Sequence, residues 1–233
     1  MTTLKLFMLP FAGGSAQIAY QGWKEHLPSS IQMIPIDPPG RGRRLMDPLA
    51  ENLDEMLADL YLQVCPHLDG TPFAIFGHSL GCLLGYELAH RLIERGHGSP
   101  QALFLSGKKP PHRPVDVTRY NMSRTDFKRT ITEMGGTAEE ILDNDELFEF
   151  FEPMIRADFK LVDTYEYREK PRALACPIYI FNGLSDPLTS VEHMDEWKSY
   201  TTGPCTVLHY EGGHFFLNEH AEGICLEISN NFL

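Results

Sequence analysis

The sequence predicts an α/β fold with a mainly parallel, doubly wound sheet, and three observations carry that expectation. Six short apolar runs punctuate the chain, each is apolar at nearly every position, and longer amphipathic stretches lie between them. The runs are Leu4–Leu9, Ile31–Ile36, Phe73–Phe76, Ala102–Leu105, Ile178–Phe181 and Thr206–Tyr210. Near-continuous apolarity suits strands covered on both faces, the usual situation of parallel strands, better than a sheet with one wet face. The clearest amphipathic stretch places Leu53, Met56, Leu57, Leu60, Tyr61 and Val64 at helical spacing, with carboxylates on the other side. Strand–helix alternation of this kind implies βαβ units.

One region breaks the alternation. From about 108 to 172 the sequence is helical and charged, with no convincing strand; it opens on Lys108-Lys109-Pro110-Pro111 and contains the breaker Gly135-Gly136. An insertion of this size between strands is usually functional. It reads as a helical lid over the carboxyl ends of the strands, where open α/β sheets bind ligands.

Length and composition bound the rest. A chain of 233 residues with 42% hydrophobic content can bury one sizeable core, so a single domain over 1–233 is expected. No window approaches the roughly 20 apolar residues that cross a bilayer. The start, Met1-Thr2-Thr3-Leu4-Lys5, lacks the apolar stretch of a signal peptide. Cys65, Cys82, Cys176, Cys205 and Cys225 are scattered and odd in number, which argues against a disulfide framework or a structural zinc site. A cytoplasmic protein, a monomer without membrane contact, is the expectation. A net charge of −12 disfavours nucleic acid as a partner. The charge is uneven, however. Lys108, Lys109, Arg113, Arg119, Arg124, Lys128 and Arg129 face only Asp116 and Asp126 in the same segment, before a strongly acidic stretch begins. This segment reads either as a solvated helical surface or as a basic docking face.

Gly77-His78-Ser79-Leu80-Gly81 follows a strand and precedes an amphipathic helix running from Cys82 to about Arg95. A G-x-S-x-G pattern in that strand–turn–helix setting presents its serine on a sharp, exposed turn at a helix N-terminus. A serine hydroxyl needs a base, and the base an orienting acid. His214 follows Glu211-Gly212-Gly213 just past the last strand, whereas His209 lies inside that strand and is expected to pack there, and His220 belongs to the terminal helix. Asp186 follows the strand Ile178–Phe181 and stands 28 residues before His214, room for one helix (Val191–Tyr200) and one strand. Asp163 and Asp195 read as helical surface residues. Ser79, Asp186 and His214 thus form a candidate catalytic set in the order typical of the α/β-hydrolase fold. Two backbone N–H groups should hold the oxyanion: that of Leu80, and one from the loop Pro10-Phe11-Ala12-Gly13-Gly14-Ser15, with Phe11 first and Ala12 next. That loop lacks the G-x-G-x-x-G of a dinucleotide site and the lysine of a phosphate-binding loop, so no cofactor is expected.

Leu9-Pro10-Phe11-Ala12-Gly13-Gly14, Pro38-Pro39-Gly40-Arg41-Gly42-Arg43-Arg44, the serine motif, Arg156-Ala157-Asp158-Phe159 with Thr164-Tyr165, and Gly212-Gly213-His214 together resemble a type II thioesterase. These are stand-alone editing enzymes of nonribosomal peptide and polyketide synthesis. The resemblance covers essentially the whole chain, and the proline–glycine–arginine run is its most specific piece. It implies a substrate acylated on the phosphopantetheine arm of a carrier protein, an acidic carrier-protein partner, and Ser79, Asp186 and His214 as nucleophile, acid and base. Fused thioesterase domains often place the acid one strand earlier. Here Ser106-Gly107-Lys108-Lys109 offers no carboxylate, which favours the stand-alone type. A small-molecule carboxylesterase or an acyltransferase with the same triad, and a catalytically silent binding module, are the alternatives. Docking of the carrier would fall on Lys108–Arg129 or on Arg41, Arg43 and Arg44.

Overall fold

The computed structural model describes residues 4–115 and 117–232, so Met1, Thr2, Thr3, Asp116 and Leu233 lie outside the described residues. In chain order the elements are β1 (Leu4–Leu9), α1 (Ala16–Ala19), β2 (Ile31–Pro35), α2 (Leu53–Val64), β3 (Phe73–His78), α3 (Leu80–Glu94) and β4 (Leu103–Ser106). There follow α4 (Arg124–Met134), α5 (Glu139–Asp143), α6 (Asp145–Asp163), β5 (Ile178–Gly183), α7 (Val191–Met194), β6 (Cys205–Tyr210) and α8 (Ala221–Asn230). The six expected strands all form. The helix expected over Val191–Tyr200 divides into α7 and a tighter 3₁₀ segment, Asp195–Tyr200.

The strands make one parallel sheet in the order β2-β1-β3-β4-β5-β6. The chain starts one strand in from an edge, steps outward to β2 at that edge, then returns past β1 and walks to the other edge. The direction of winding therefore reverses between β1 and β3, the crevice where open α/β sheets bind ligands. Because side chains alternate along a strand, β1 feeds two cores. Phe7 and Leu9 join Leu57, Leu60, Leu84 and Leu88 on the α2–α3 face. Leu4, Leu6 and Met8 join Trp23, Phe76, Ile224 and Ile228 on the α8 face.

Side-chain caps start several helices where the sequence offers them. Asn52 accepts from the Glu55 N–H at 3.0 Å, Ser123 from Asp126, and Asn144 from both Glu146 and Leu147, filling N–H groups that a first turn leaves open. Between β4 and β5 the insertion is helical, as expected. Its helices α4, α5 and α6 share a separate apolar cluster of Phe127, Ile131, Leu142, Phe148, Met154, Ile155 and Phe159. Among the described residues no helix is long and apolar enough to cross a membrane.

Candidate active site

The turn between β3 and α3 explains the glycines of its motif. A Cβ on Gly77 would overlap the Gly81 carbonyl, and one on Gly81 would overlap the Leu9 carbonyl, so both positions are in backbone contact with neighbours. Ser79 sits between them at φ 55 and ψ −111, the one non-glycine residue with positive φ among the described residues. Its N–H is held by the Ser106 carbonyl at 2.8 Å. L-residues avoid this region at a cost of about 1–3 kcal/mol, and the strain is kept because the surroundings fix it.

His214 and Asp186 reach that serine from two other strand ends. The Ser79 hydroxyl lies 3.0 Å from His214 Nε2, and His214 Nδ1 lies 2.8 Å from Asp186 Oδ2. Both partners are 5% exposed. The remaining Asp186 oxygen accepts the Leu188 N–H at 2.8 Å. With Nδ1–H donating to Asp186, the free lone pair of Nε2 faces the hydroxyl, which is the tautomer a general base needs. The two loops are strapped together: Ser185 N–H donates to the Gly212 carbonyl at 2.9 Å, and Gly183 abuts the Gly213 carbonyl so closely that a Cβ would overlap it.

Phe11 and Leu80, the expected oxyanion donors, follow β1 and open α3 respectively. Among the described residues the Phe11 and Ala12 N–H groups donate to no protein acceptor, and the Leu80 N–H opens α3, where no intrahelical acceptor exists. A cavity of about 360 Å³ opens on Ser79 and His214 between the sheet edge and the insertion, with Val115, Val117, Met134, Val162 and Leu188 among its walls. Among the described residues no group of three His, Cys, Asp or Glu side chains is placed to hold a metal ion.

Several expectations about charged and polar residues change. Asp163 is not a surface residue: its side chain is fully buried and accepts from Arg119 Nε at 3.0 Å and from the Arg119 N–H, tying the end of α6 to the segment before α4. Asp195 does lie on the surface, paired with Lys198. His209 is in β6 but its side chain is exposed, because β6 is an edge strand with one uncovered face. His220 immediately precedes α8 and binds the Glu211 carbonyl at 3.0 Å.

The basic segment is largely neutralised from within. Arg113 pairs with Glu196, Arg124 with Glu149 and Glu152, Lys128 with Asp145, and Arg129 with Asp126. The acidic stretch that follows in sequence folds back on it. Lys108 and Lys109 alone of that segment have no carboxylate partner among the described residues, and both line the cavity. Burial pulls the Lys108 amine down to about 8. Arg41 is not available for docking either, being 3% exposed and paired with Asp158, while Arg44 pairs with Asp59 and Asp47. Arg43 remains exposed.

His78, the variable position of the serine motif, is also a buried neighbour of the site. Its ring lies 4.9 Å from that of His214 and its Nδ1 lies 2.9 Å from the Ser106 hydroxyl. Burial first, then the nearby His214, hold it neutral well below the usual histidine range. Nothing in the motif itself marks this role. Phe215, next to His214, went equally unmarked; it sets its ring edge-on to Phe11 at 4.8 Å.

The chain matches the family described as thioesterase domain over residues 4–232. It is 33% identical over 233 residues to the thioesterase PikA5 of Streptomyces venezuelae, an alignment that covers 100% of this chain and 82% of that protein. Among solved structures, ClbQ from the colibactin nonribosomal peptide/polyketide pathway superposes with a TM-score of 0.94 at 35% identity, covering 98% of this chain and 96% of that one. The type II thioesterase BorB from the borrelidin cluster superposes with a TM-score of 0.88 at 33% identity, covering 99% and 93%. With an α/β-hydrolase sheet and a hydrogen-bonded serine–histidine–aspartate chain at the carboxyl ends of its strands, this protein belongs to the thioesterase family, is similar to type II thioesterases, and is a thioester hydrolase.

Proposed function

We propose that the chain hydrolyses acyl or aminoacyl thioesters borne on the phosphopantetheine arm of carrier proteins in nonribosomal peptide or polyketide synthesis. The observation that carries the chemistry is the unbroken hydrogen-bonded chain Ser79–His214–Asp186 at 3.0 and 2.8 Å. In this reading His214 Nε2 takes the hydroxyl proton as Ser79 Oγ attacks the thioester carbon, and Asp186 stabilises the imidazolium that forms. The Phe11 and Leu80 N–H groups receive the oxyanion; a donor of this kind is worth roughly 100- to 1,000-fold in kcat. The leaving group is a thiolate, whose thiol has a pKa of about 8.5, so it departs with little help from a proton. The proton held by His214 leaves with the thiol; the neutral imidazole then deprotonates water, which attacks the acyl-serine, and the same proton returns to Ser79 Oγ as the acid is freed. No cofactor takes part.

The similarity to ClbQ and BorB supports a carrier-borne substrate, and the apolar cavity beside Ser79 supports an acyl group as cargo. A biosynthetic enzyme of this kind would work in the cytoplasm. The carrier would approach over Lys108 and Lys109, the unpaired cations at the cavity. Ser79→Ala, assayed on an acyl-carrier thioester, is expected to lose at least 1,000-fold in kcat. Activity near wild type in the folded variant would remove Ser79 as nucleophile, and wild-type preference for a soluble oxyester over the carrier substrate would remove the substrate assignment.

A further inference from the structure

Two motifs of the resemblance, the arginine-rich run after β2 and Arg156-Ala157-Asp158-Phe159 in α6, meet inside the protein. Arg41 and Asp158 are 3% and 1% exposed. The guanidinium grips the carboxylate with two bonds, Nη1 to Oδ2 at 2.6 Å and Nη2 to Oδ1 at 2.9 Å. The pair does not close on itself. Asp158 Oδ2 also accepts the Gly13 N–H at 2.8 Å, and Arg41 Nη1 donates to the Gly14 carbonyl at 3.3 Å. Two further bonds, at 3.3 and 3.1 Å, anchor the guanidinium to the Pro39 carbonyl.

Gly13 and Gly14 belong to the loop that carries the Phe11 and Ala12 N–H groups. The Gly14 N–H closes that turn onto the Phe11 carbonyl at 2.9 Å. Gly13 takes φ 78, and a Cβ there would press on Ile155 of α6 at 3.2 Å. At its far end the loop is fixed by the body of the protein, where Asp37 accepts from the Ala16 N–H at 2.6 Å and from the Ser15 hydroxyl at 2.9 Å. Its middle is therefore held by the insertion and its end by the sheet. Burying a charged pair costs desolvation that an apolar pair of equal volume avoids, so stability alone is a poor reason for one here. Two backbone groups fixed by the pair supply a better reason.

We propose that Asp158 and Arg41 are positioning residues: they hold the loop donors in register for the oxyanion, and do so only while α6 is seated on the sheet. The insertion thereby completes the oxyanion site as well as walling the cavity. The inference rests on the roles given above to Ser79 and Phe11.

The test compares wild type with the volume-conserving double variant Arg41→Met/Asp158→Leu and with Asp158→Asn and Asp158→Glu. The probes are a butyryl N-acetylcysteamine thioester, for kcat and KM, and phenylboronic acid, which forms a tetrahedral adduct on a nucleophilic serine. The double variant is expected to fold and to lose 10- to 100-fold in kcat with KM within about 2-fold. Its affinity for the boronate should fall by a factor similar to that in kcat, and Asp158→Glu should recover part of both. Wild-type kcat, or a loss of kcat with unchanged boronate affinity, overturns the proposal. Should the double variant not fold, Asp158→Asn decides by the same two readouts. Ser79→Ala is assayed alongside: activity there would remove the underlying reading, whereas an inactive Ser79→Ala beside an unaffected double variant removes only the positioning role.

Discussion

Gly136, in the insertion, packs closely against the ring of Phe215, the neighbour of His214. A methyl group on Gly136 would overlap the ring at Cζ, and the residue's φ of 83 already excludes most side chains. The same ring meets Phe11 at 4.8 Å, His214 at 5.1 Å and His78 at 5.4 Å. The insertion thus bears on His214 through one aromatic side chain. Gly136→Ala is expected to lower stability by about 1–2 kcal/mol from backbone conformation alone and to reduce kcat about 10-fold by shifting Phe215. Adding Phe215→Ala removes the overlapped ring, so the double variant should lose less than the sum of the singles, a coupling that a double-mutant cycle measures directly.

Asp186 reaches Ser79 by way of His214, whose Nδ1 lies 2.8 Å from Oδ2. Asp186→Asn keeps the volume but offers an amide N–H where an acceptor is required, and so favours the wrong imidazole tautomer. A fall in kcat of about 1,000-fold or more is expected, with the structure of the site otherwise intact. Steady-state turnover of a soluble acyl thioester measures it; a loss below 10-fold would mean that Asp186 does not orient the base.

The segment after β4 now has few free cations to offer a carrier. Charge reversal at Lys109 is therefore expected to raise KM for a carrier-borne acyl group about 5-fold while leaving KM for a small thioester unchanged. Reversal at Lys128, already paired with Asp145, should do less. Equal effects at the two positions would show that the carrier docks elsewhere.

Acid should weaken the fold through His90, buried on α3 beside Glu87 and Lys170. Burial, reinforced by the Lys170 charge, pulls its pKa from 6.5 to about 4. Between those two values the unfolded chain binds a proton that the folded one refuses. The stability this histidine supplies is therefore complete above about pH 6.5 and is lost as pH falls toward 4. His90→Gln, which cannot titrate, should reduce the fall in Tm between pH 7 and pH 5 by ~3 °C, read by calorimetry. An unchanged profile would place the acid sensitivity on other groups, His78 first among them.

Much of this molecule could be read from the chain because its signals are local. The four inner strands are apolar runs buried nearly throughout, and Ser79, Asp186 and His214 each stand one short turn beyond a strand. In a parallel sheet that position puts all three loops at one edge. What could not be read depends on pairs far apart in sequence. Asp163 looked like a surface residue because its partner Arg119 lies 44 residues away. The basic run looked free because most of the carboxylates that neutralise it lie far along the chain, on α6 and at Glu196. Arg41 looked like a docking cation, although its partner Asp158 stood in a motif already noted, 117 residues downstream. Charge patterns report which groups exist, and only packing reports which of them meet.

The turn at Ser79 holds an L-residue at φ 55, against its own backbone preference. Glycine would occupy that position without strain. Activity and stability consequently pull in opposite directions at a single site: Ser79→Gly should raise Tm by a few degrees while abolishing turnover. Selection for heat resistance alone would erode this position first, and persistence of its serine under such selection would itself be evidence that the reaction is needed.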